Sequence, residues 1–415
     1  MKHNPFTSAS YTTIWLKHFN ASKKTFTFEF INGLKFVKHW LLPLHVNVGK
    51  NLTKGIYYNL NYSASDYKGK TLLIYDVPTY FNLDNFILNS NSSLRLIKLF
   101  QYKGFLMNIS SFKDYEEYIR SQFNSKNRRE FKSNIRRLED CFNIKYSFLH
   151  GNISKTDFDI AFNHFYKLLN KRFSDKQTNY HHLSETKWNF YKELVFEMLQ
   201  NKQASLLIIY SDDIPIGITL NFHSENILFE TITVFDPDYY KFSIGKTSII
   251  KLLEWCFENN YKISDFSKGD FDYKHKWANY EYDFNYHIFY DSSSLKSILT
   301  AKFVELFFKT KLFLREKNIN LLYRKCIYFV NDKLKRNNDP GLKYKTEKID
   351  NFMNSDDFKL IDYTENKFSY LLQSLYVFMY ANPEPIKNIR VYQDSKSVKT
   401  FIIKGSKKAQ KLIFN

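Results

Sequence analysis

Apolar residues recur along this chain with two periods, and the switches between them mark out its elements. From Tyr11 to Phe19, Trp15, Leu16 and Phe19 stand at helical spacing. Thr25 to Val37 predicts a hairpin with its turn at Asn32-Gly33, because that pair supplies the positive φ angles a tight turn needs. Trp40–Val48, Ile56–Leu60 and the strongly apolar Lys70–Val77, closed by Pro78, read as further strands. Leu83–Asn89 and Leu94–Tyr102 are too short to decide, and Ser111–Leu138 is helical in period. Asn143–Leu149 predicts a strand, followed by helices over Phe158–Arg172 and Glu185–Gln200. Ala204–Tyr210, Ile214–His223 and Ile227–Val234 then form an antiparallel meander. A helix opens near Gly245, with Ile249, Leu252, Leu253, Cys256 and Phe257 on one face, and Tyr261–Phe266 returns as a strand. Beyond Ser292 the pattern changes to a long helical stretch, Leu295–Val330, a polar linker, Asn331–Pro340, and a mixed final segment.

The expected architecture is therefore α/β with mixed, largely antiparallel sheets flanked by helices. A chain of 415 residues exceeds one ordinary domain. The pattern divides it into 1–122, 123–291 with a basic leading helix at 123–140, and an extension at 292–415. The composition is 44% hydrophobic, with 41 Phe and 31 Tyr against 11 Gly and 8 Pro, which excludes a low-complexity or disordered chain.

The net charge of +19 has two readings, a polyanion-binding surface or a composition rich in Lys, Asn, Ile, Phe and Tyr of the kind AT-rich genomes encode. Cys141, Cys256 and Cys326 are isolated and odd in number, which suits a reducing compartment and gives no structural zinc site. No His set has metal-ligand spacing, His181-His182 included. Neither a leader-like apolar core at Met1–Ser10 nor a run of about 18 apolar residues is present. The expected location is cytoplasmic. The basic amphipathic stretch 295–330 is open to two readings, packing on its own protein or peripheral contact with the inner face of a membrane.

Candidate chemistry concentrates between Asp236 and Lys276. Gly245 follows a strand and opens a helix, so backbone N–H groups there can meet phosphate oxygens, with Lys241 and Lys246 adding charge. The loop is neither a Walker loop nor a dinucleotide fingerprint, and a plain helix start is the alternative. One helix later, Asp265-Phe-Ser-Lys-Gly-Asp-Phe-Asp-Tyr-Lys-His-Lys crowds carboxylates, Tyr273, Lys268, Lys274 and His275 just after a strand. Such a cluster can hold a general base and an oxyanion stabiliser, or it can be a surface loop whose charges pair with each other. Upstream, Lys126, Arg128, Arg129, Lys132, Arg136 and Arg137 stand opposite an apolar stripe of Phe131, Ile135 and Leu138. The helix is either a solvated connector or an anion clamp.

Ser243-Ile-Gly-Lys, then a helix, then Asp265-Phe-Ser-Lys-Gly-Asp with Tyr273-Lys274 resembles the signature of the CelD-like acetyltransferase branch of the GNAT superfamily, which is related to Fem-type peptidoglycan transferases. The basic helix and Asn4-Pro-Phe-Thr-Ser with Trp15 resemble the family's upstream segments. The resemblance covers about Asn4–Trp277. It implies two tandem GNAT-like domains, the second binding acyl-CoA, with acetyl-CoA as the expected co-substrate and no metal. The implied donor residues are Val234, Lys241, Ser243, Ile244, Gly245 and Lys246. The implied catalytic residues are Asp270, for the amine proton, with Lys274 and Tyr273. The expected acceptor ligands are Asp265, Lys268, Arg128 and Arg129. The implied acceptor is a small or lipid-linked amine, such as an amino sugar of a cell-envelope precursor, and no sequence-specific nucleic acid is expected. Two alternatives stay open: a Fem-like transferase using aminoacyl-tRNA, and a basic module binding nucleic acid or anionic lipid.

Overall fold

The computed structural model describes residues 3–20, 24–83, 92–174, 183–317, 344–349 and 357–414. Most of the undecided stretch Leu83–Asn89 (residues 84–89), His181-His182, Cys326, the end of the 295–330 stretch and the 331–340 linker lie outside them. The middle of the chain follows its hydrophobic pattern. Strands β7 (Ile144–Leu149), β8 (Ala204–Ser211), β9 (Ile214–His223) and β10 (Ile227–Phe235) are antiparallel neighbours. Helix α6 (Ile244–Glu258) then crosses over to β11 (Ile263–Lys268), which joins β10 in parallel.

The first third of the chain supplies β1 (Thr25–Phe28), β2 (Ile31–Lys38), β3 (His45–Asn47), β4 (Asn59–Leu60), β5 (Thr71–Pro78) and β6 (Leu94–Asn108). One further strand, β12 (Tyr280–Asp291), follows β11 after the short helix α7 (Asp272–Trp277). The strand order is β1-β2-β3-β5-β12-β6-β11-β10-β9-β8-β7, with β4 paired to β2. The two halves have thus exchanged strands. β12 lies between β5 and β6, and β6 lies between β12 and β11, so a single sheet runs through both halves. Each half contains one parallel pair, β3 with β5 and β10 with β11. The two differ in their crossovers, since 48–70 holds only β4 where α6 stands in the second half.

Several cores stabilise this sheet. Helices α1 (Ala9–Phe19), α4 (Lys155–Ser174) and α5 (Glu185–Gln200) share one with strands of both halves. Helices α2 (Tyr115–Gln122) and α3 (Ser125–Cys141) pack with α6 over β10 and β11, and α8 (Leu295–Glu316) packs over β5 and β12. The extension adds a five-stranded antiparallel sheet, β13 (Tyr344–Ile349), β14 (Phe358–Ile361), β15 (Arg390–Asp394), β16 (Ser397–Lys404) and β17 (Ala409–Phe414). Its order is β13-β17-β16-β15-β14, with helix α9 (Leu372–Ala381) beside it.

Four local expectations change. The first hairpin turns at Glu29-Phe30, whose N–H groups donate to the Asp66 carboxylate at 2.6 and 3.0 Å, while Asn32-Gly33 lies inside β2. Trp40–Val48 and Ile56–Leu60 contribute only the short β3 and β4. The stretch 111–138 breaks at Phe123-Asn124, because the Asn124 side chain accepts from Asn127 N at 2.9 Å and caps a new helix. Leu94–Tyr102 is the start of a 15-residue strand, and β12 had no predicted counterpart.

Candidate active site

The parallel pairing of β10 and β11 is short. Ile227, Leu228 and Phe229 face Ile263, Ser264 and Asp265, and then the strands part. β10 continues to Phe235 along β9, with a bulge between Glu230 and Ile232, while β11 continues along β6, with a bulge between Asp265 and Ser267. Extra residues on both strands increase the local bend, and the facing edges diverge. Glu230 is the first residue of β10 past the last paired rung. Its carboxylate is partly buried and accepts from Ser264 Oγ at 3.3 Å. Burial pushes its pKa up to about 8, against the opposing pull of the Lys274 charge. This places a carboxyl that can gain or lose a proton near neutrality at the mouth of an open strand edge.

On the β11 side the Asp-x-x-x-Gly-Asp sequence has a local physical cause. Gly269 has φ +113°, and a Cβ there would meet the Phe271 ring at 2.9 Å, so only glycine turns the strand end. Lys274, on α7, is buried and reaches back to the carbonyls of Phe266, Ser267 and Lys268 at 2.8, 3.1 and 2.8 Å. All three ammonium donors are thereby committed to the chain. Burial lowers its pKa to about 8.

Asp265 is fully buried and accepts from Tyr282 Oη at 2.7 and 2.8 Å, from Tyr80 Oη at 2.9 Å and from Ser267 N at 2.6 Å. Burial lifts its pKa to about 6, while the Tyr282, Ser267 and Tyr80 hydrogen bonds hold it down. Lys268 spans to the other half, donating to Asp76 Oδ1 at 3.3 Å and Asn51 O at 3.1 Å. Asp76 is itself buried at φ +60° in β5 and accepts from Thr53 Oγ1 and Gln101 Nε2. Near this junction stands Lys54, partly buried, its pKa lowered to about 7 by burial and by the charges of Lys268 and Lys274.

The remaining expected residues lie on β10, α3, α7, the start of α6 and the turns beside them. Asp270 is exposed and accepts from His275 Nε2 at 2.6 Å; His275 Nδ1 meets Glu281 at 2.9 Å. Tyr273 is 45% exposed, with its ring against Phe266 and Phe271. Val234 is buried. Ser243 sits at φ +56° and opens α6, and Ile244 is buried behind it. A Cβ on Gly245 would meet the Phe235 ring at 3.0 Å, and the Arg172 guanidinium lies 4.2 Å from that ring's centroid. Lys246 pairs with Glu130 at 2.7 Å, and Lys241 lies over the Tyr240 ring. Arg128 donates to Phe123 O and Arg129 is exposed, while Lys132, Arg136 and Arg137 are taken up by Glu116, Asp140 and the Tyr380 carbonyl. Most cations of α3 therefore have partners within the protein.

Sequence reading missed Glu230, Asp76, Tyr80, Tyr282 and Lys54. Two of them had a signal: Glu230 interrupts Ile227-Leu-Phe-Glu-Thr-Ile and Asp76 interrupts Leu72-Leu-Ile-Tyr-Asp-Val, and an acid in an apolar strand must have a partner or a task. Among the described residues no group of three or more His, Cys, Asp or Glu could hold a metal ion, and no helix is long and apolar enough to cross a membrane.

No curated protein matches the chain. Among solved structures, L-PGS from Bacillus licheniformis is similar at 13% identity over 71% of this chain and 96% of that one, with a TM-score of 0.43. FemX is similar at 10% identity over 61% and 83%, with a TM-score of 0.44. A tandem GNAT protein from the clavulanic acid biosynthesis pathway is similar at 7% identity over 61% and 77%, with a TM-score of 0.32. Residues 125–275 match the family model described as Acetyltransferase (GNAT) domain. The matched segment holds the parted strands, the loop before α6 and Lys274, and its mixed sheet flanked by helices is GNAT-like.

Proposed function

We propose that the chain transfers an acyl group, acetyl in the simplest case, from acyl-CoA to a primary amine, and that Glu230 takes the amine proton. The observation that carries this reading is the parting of β10 and β11 beyond Phe229 and Asp265, with Glu230 at the first unpaired position. The donor supplies an activated thioester carbonyl. Two features fit such a ligand: the edge of β10 beyond Glu230, which β11 leaves open to an extended amide-bearing arm, and the start of α6, where a helix N-terminus meets a glycine pressed against Phe235. The first half has no helix between its parallel strands, which favours the second half for the donor.

Glu230 and Asp270 compete for the same role. Glu230 is sheltered and its raised pKa suits proton acceptance near neutral pH, whereas Asp270 is exposed and already engaged with His275. Lys274 acts by fixing the carbonyls at the end of β11 and by placing a positive charge behind Glu230 and Asp265. Asp265 and Lys268 hold the two halves at the angle that leaves the acceptor its approach. The acceptor class remains the amine of an amino sugar or another precursor of a cell-envelope polysaccharide or lipid, met on the cytoplasmic side. That class rests on the resemblance of the Asp265–Lys274 sequence.

The test pairs binding with turnover. Acetyl-CoA at about a hundred times its dissociation constant should add roughly 2.7 kcal/mol of stability. Glu230→Gln should keep that thermal shift and lose transfer to a panel of amino sugars, while Asp270→Asn keeps most of it. No shift with acetyl-CoA or longer acyl-CoA would refute the donor, and full activity in Glu230→Gln would refute the base.

A further inference from the structure

Helix α8 carries two apolar stripes. Ala301, Val304 and Phe308 are buried against Leu73, Tyr286 and Ile288, and the Phe308 ring stacks on Tyr286 with centroids 3.9 Å apart. That contact accounts for one side of the helix. A second stripe of Leu295, Leu299, Phe303, Leu306, Phe307 and Phe313 repeats at four, four, three, one and six residues along another face. These side chains are 54–70% exposed. A single exposed leucine is ordinary, but six on one helix form a continuous apolar strip of the kind that marks an interaction site. Leu42, in the loop before β3, packs into the core beneath the helix, while Trp40 of the same loop, 81% exposed, lines a cavity with Trp15 and Phe19 of α1.

The charges decide what covers the strip. α8 and the residue that caps it carry Lys296, Lys302, Lys309, Lys311, Arg315 and Lys317, against Glu305 and Glu316 as the only acids. Glu305 pairs with both Lys302 and Lys309, so the balance along the strip stays strongly positive. A second copy would bring one cationic rim against another in a protein of net charge +19. Anionic headgroups would instead neutralise the rim while the acyl region takes the leucines and phenylalanines. We propose that α8 forms a docking surface for an anionic lipid bilayer, with the helix lying in the plane of the interface. This inference stands on its own observations and does not depend on the donor or acceptor assigned above.

The full chain is mixed with phosphatidylcholine vesicles, with and without phosphatidylglycerol, and bound protein is measured by flotation. Binding should require the anionic lipid and weaken as salt is raised. The double variant Phe303→Ser/Leu306→Ser should lower the vesicle affinity about tenfold or more, as loss of one or two buried apolar side chains implies. Its melting temperature should hold, since neither side chain packs in the core. Absence of vesicle binding, equal binding to neutral vesicles, or unchanged affinity in the double variant would overturn the proposal. So would a dimer in solution that the double variant dissociates, because a second copy would then cover the strip.

Discussion

Tyr282 donates to both carboxylate oxygens of Asp265, at 2.7 and 2.8 Å, and its ring lies directly over Gly104 on the neighbouring strand. A Cβ at position 104 would stand 2.3 Å from the ring. Glycine at this rung of β6 is what lets the phenol reach the buried acid. Gly104→Ala should therefore displace Tyr282, and overpacking of this kind costs about 1–3 kcal/mol. Tyr282→Phe should cost about 1.5–3 kcal/mol by withdrawing a donor from a buried carboxylate. Denaturant titration of both variants checks the pair, and wild-type stability in either would contradict the arrangement.

Glu230 links stability to pH in a direction that can be worked out. The unfolded chain releases this proton near the ordinary glutamate value of 4.5, and the folded chain holds it to about 8. The folded state binds more protons in that window, so this group's contribution to stability falls as pH rises through it and is constant above it. Glu230→Gln should remove that slope, melting higher than wild type at pH 8 and little differently at pH 4.5. The same substitution should abolish the rise of kcat/KM with pH that deprotonation of Glu230 produces. Scanning calorimetry at both pH values and a pH–rate profile measure the two effects, and a variant that melts below wild type at the higher pH would count against a sheltered carboxylate.

Lys274 is predicted to matter first for folding. Lys274→Met leaves the carbonyls of Phe266, Ser267 and Lys268 without their donor, and each buried polar group so orphaned costs about 1–3 kcal/mol. Gly269→Ala should cost a similar amount through its φ of +113° and the Phe271 contact. Thermal melts should show both losses. Loss of turnover in Lys274→Met at unchanged melting temperature would assign the lysine to the reaction instead.

The extension has a measurable task at the loop before α6. Tyr376 of α9 packs on Tyr239 with centroids 4.5 Å apart, and Tyr380 meets Phe242 at 5.3 Å while its hydroxyl donates to Asn134 at 2.6 Å. Removing Tyr376 should loosen Pro237–Phe242 and with it the start of α6. Tyr376→Ala is expected to raise KM for the acyl donor several-fold with a smaller change in kcat, in steady-state kinetics with the amine saturating. An equal fall in kcat with constant KM would contradict that role.

The meander, α6 and β11 were legible because one amphipathic period governs each and their neighbours in space are neighbours in sequence. β6 and β12 were not. Each pairs chiefly with strands of the other half, and residues such as Asp283 and His287 take their places from partners far along the chain. The first turn was misplaced for the same reason, since Asp66 rather than the Asn-Gly pair decides it.

By itself the sequence determined the α/β class, the strand–loop–helix–strand around Gly245 and the crowding of charge from Asp265 to Lys274, because these follow from period, glycine placement and local charge. Only the tertiary structure decided how that stretch is arranged. Three carbonyls turned inward claim Lys274, two tyrosines claim Asp265, and Asp270 is left at the surface. Glu230, the acid proposed as the base, lies on a different strand, where two bulges separate neighbours that the local pattern would have kept paired.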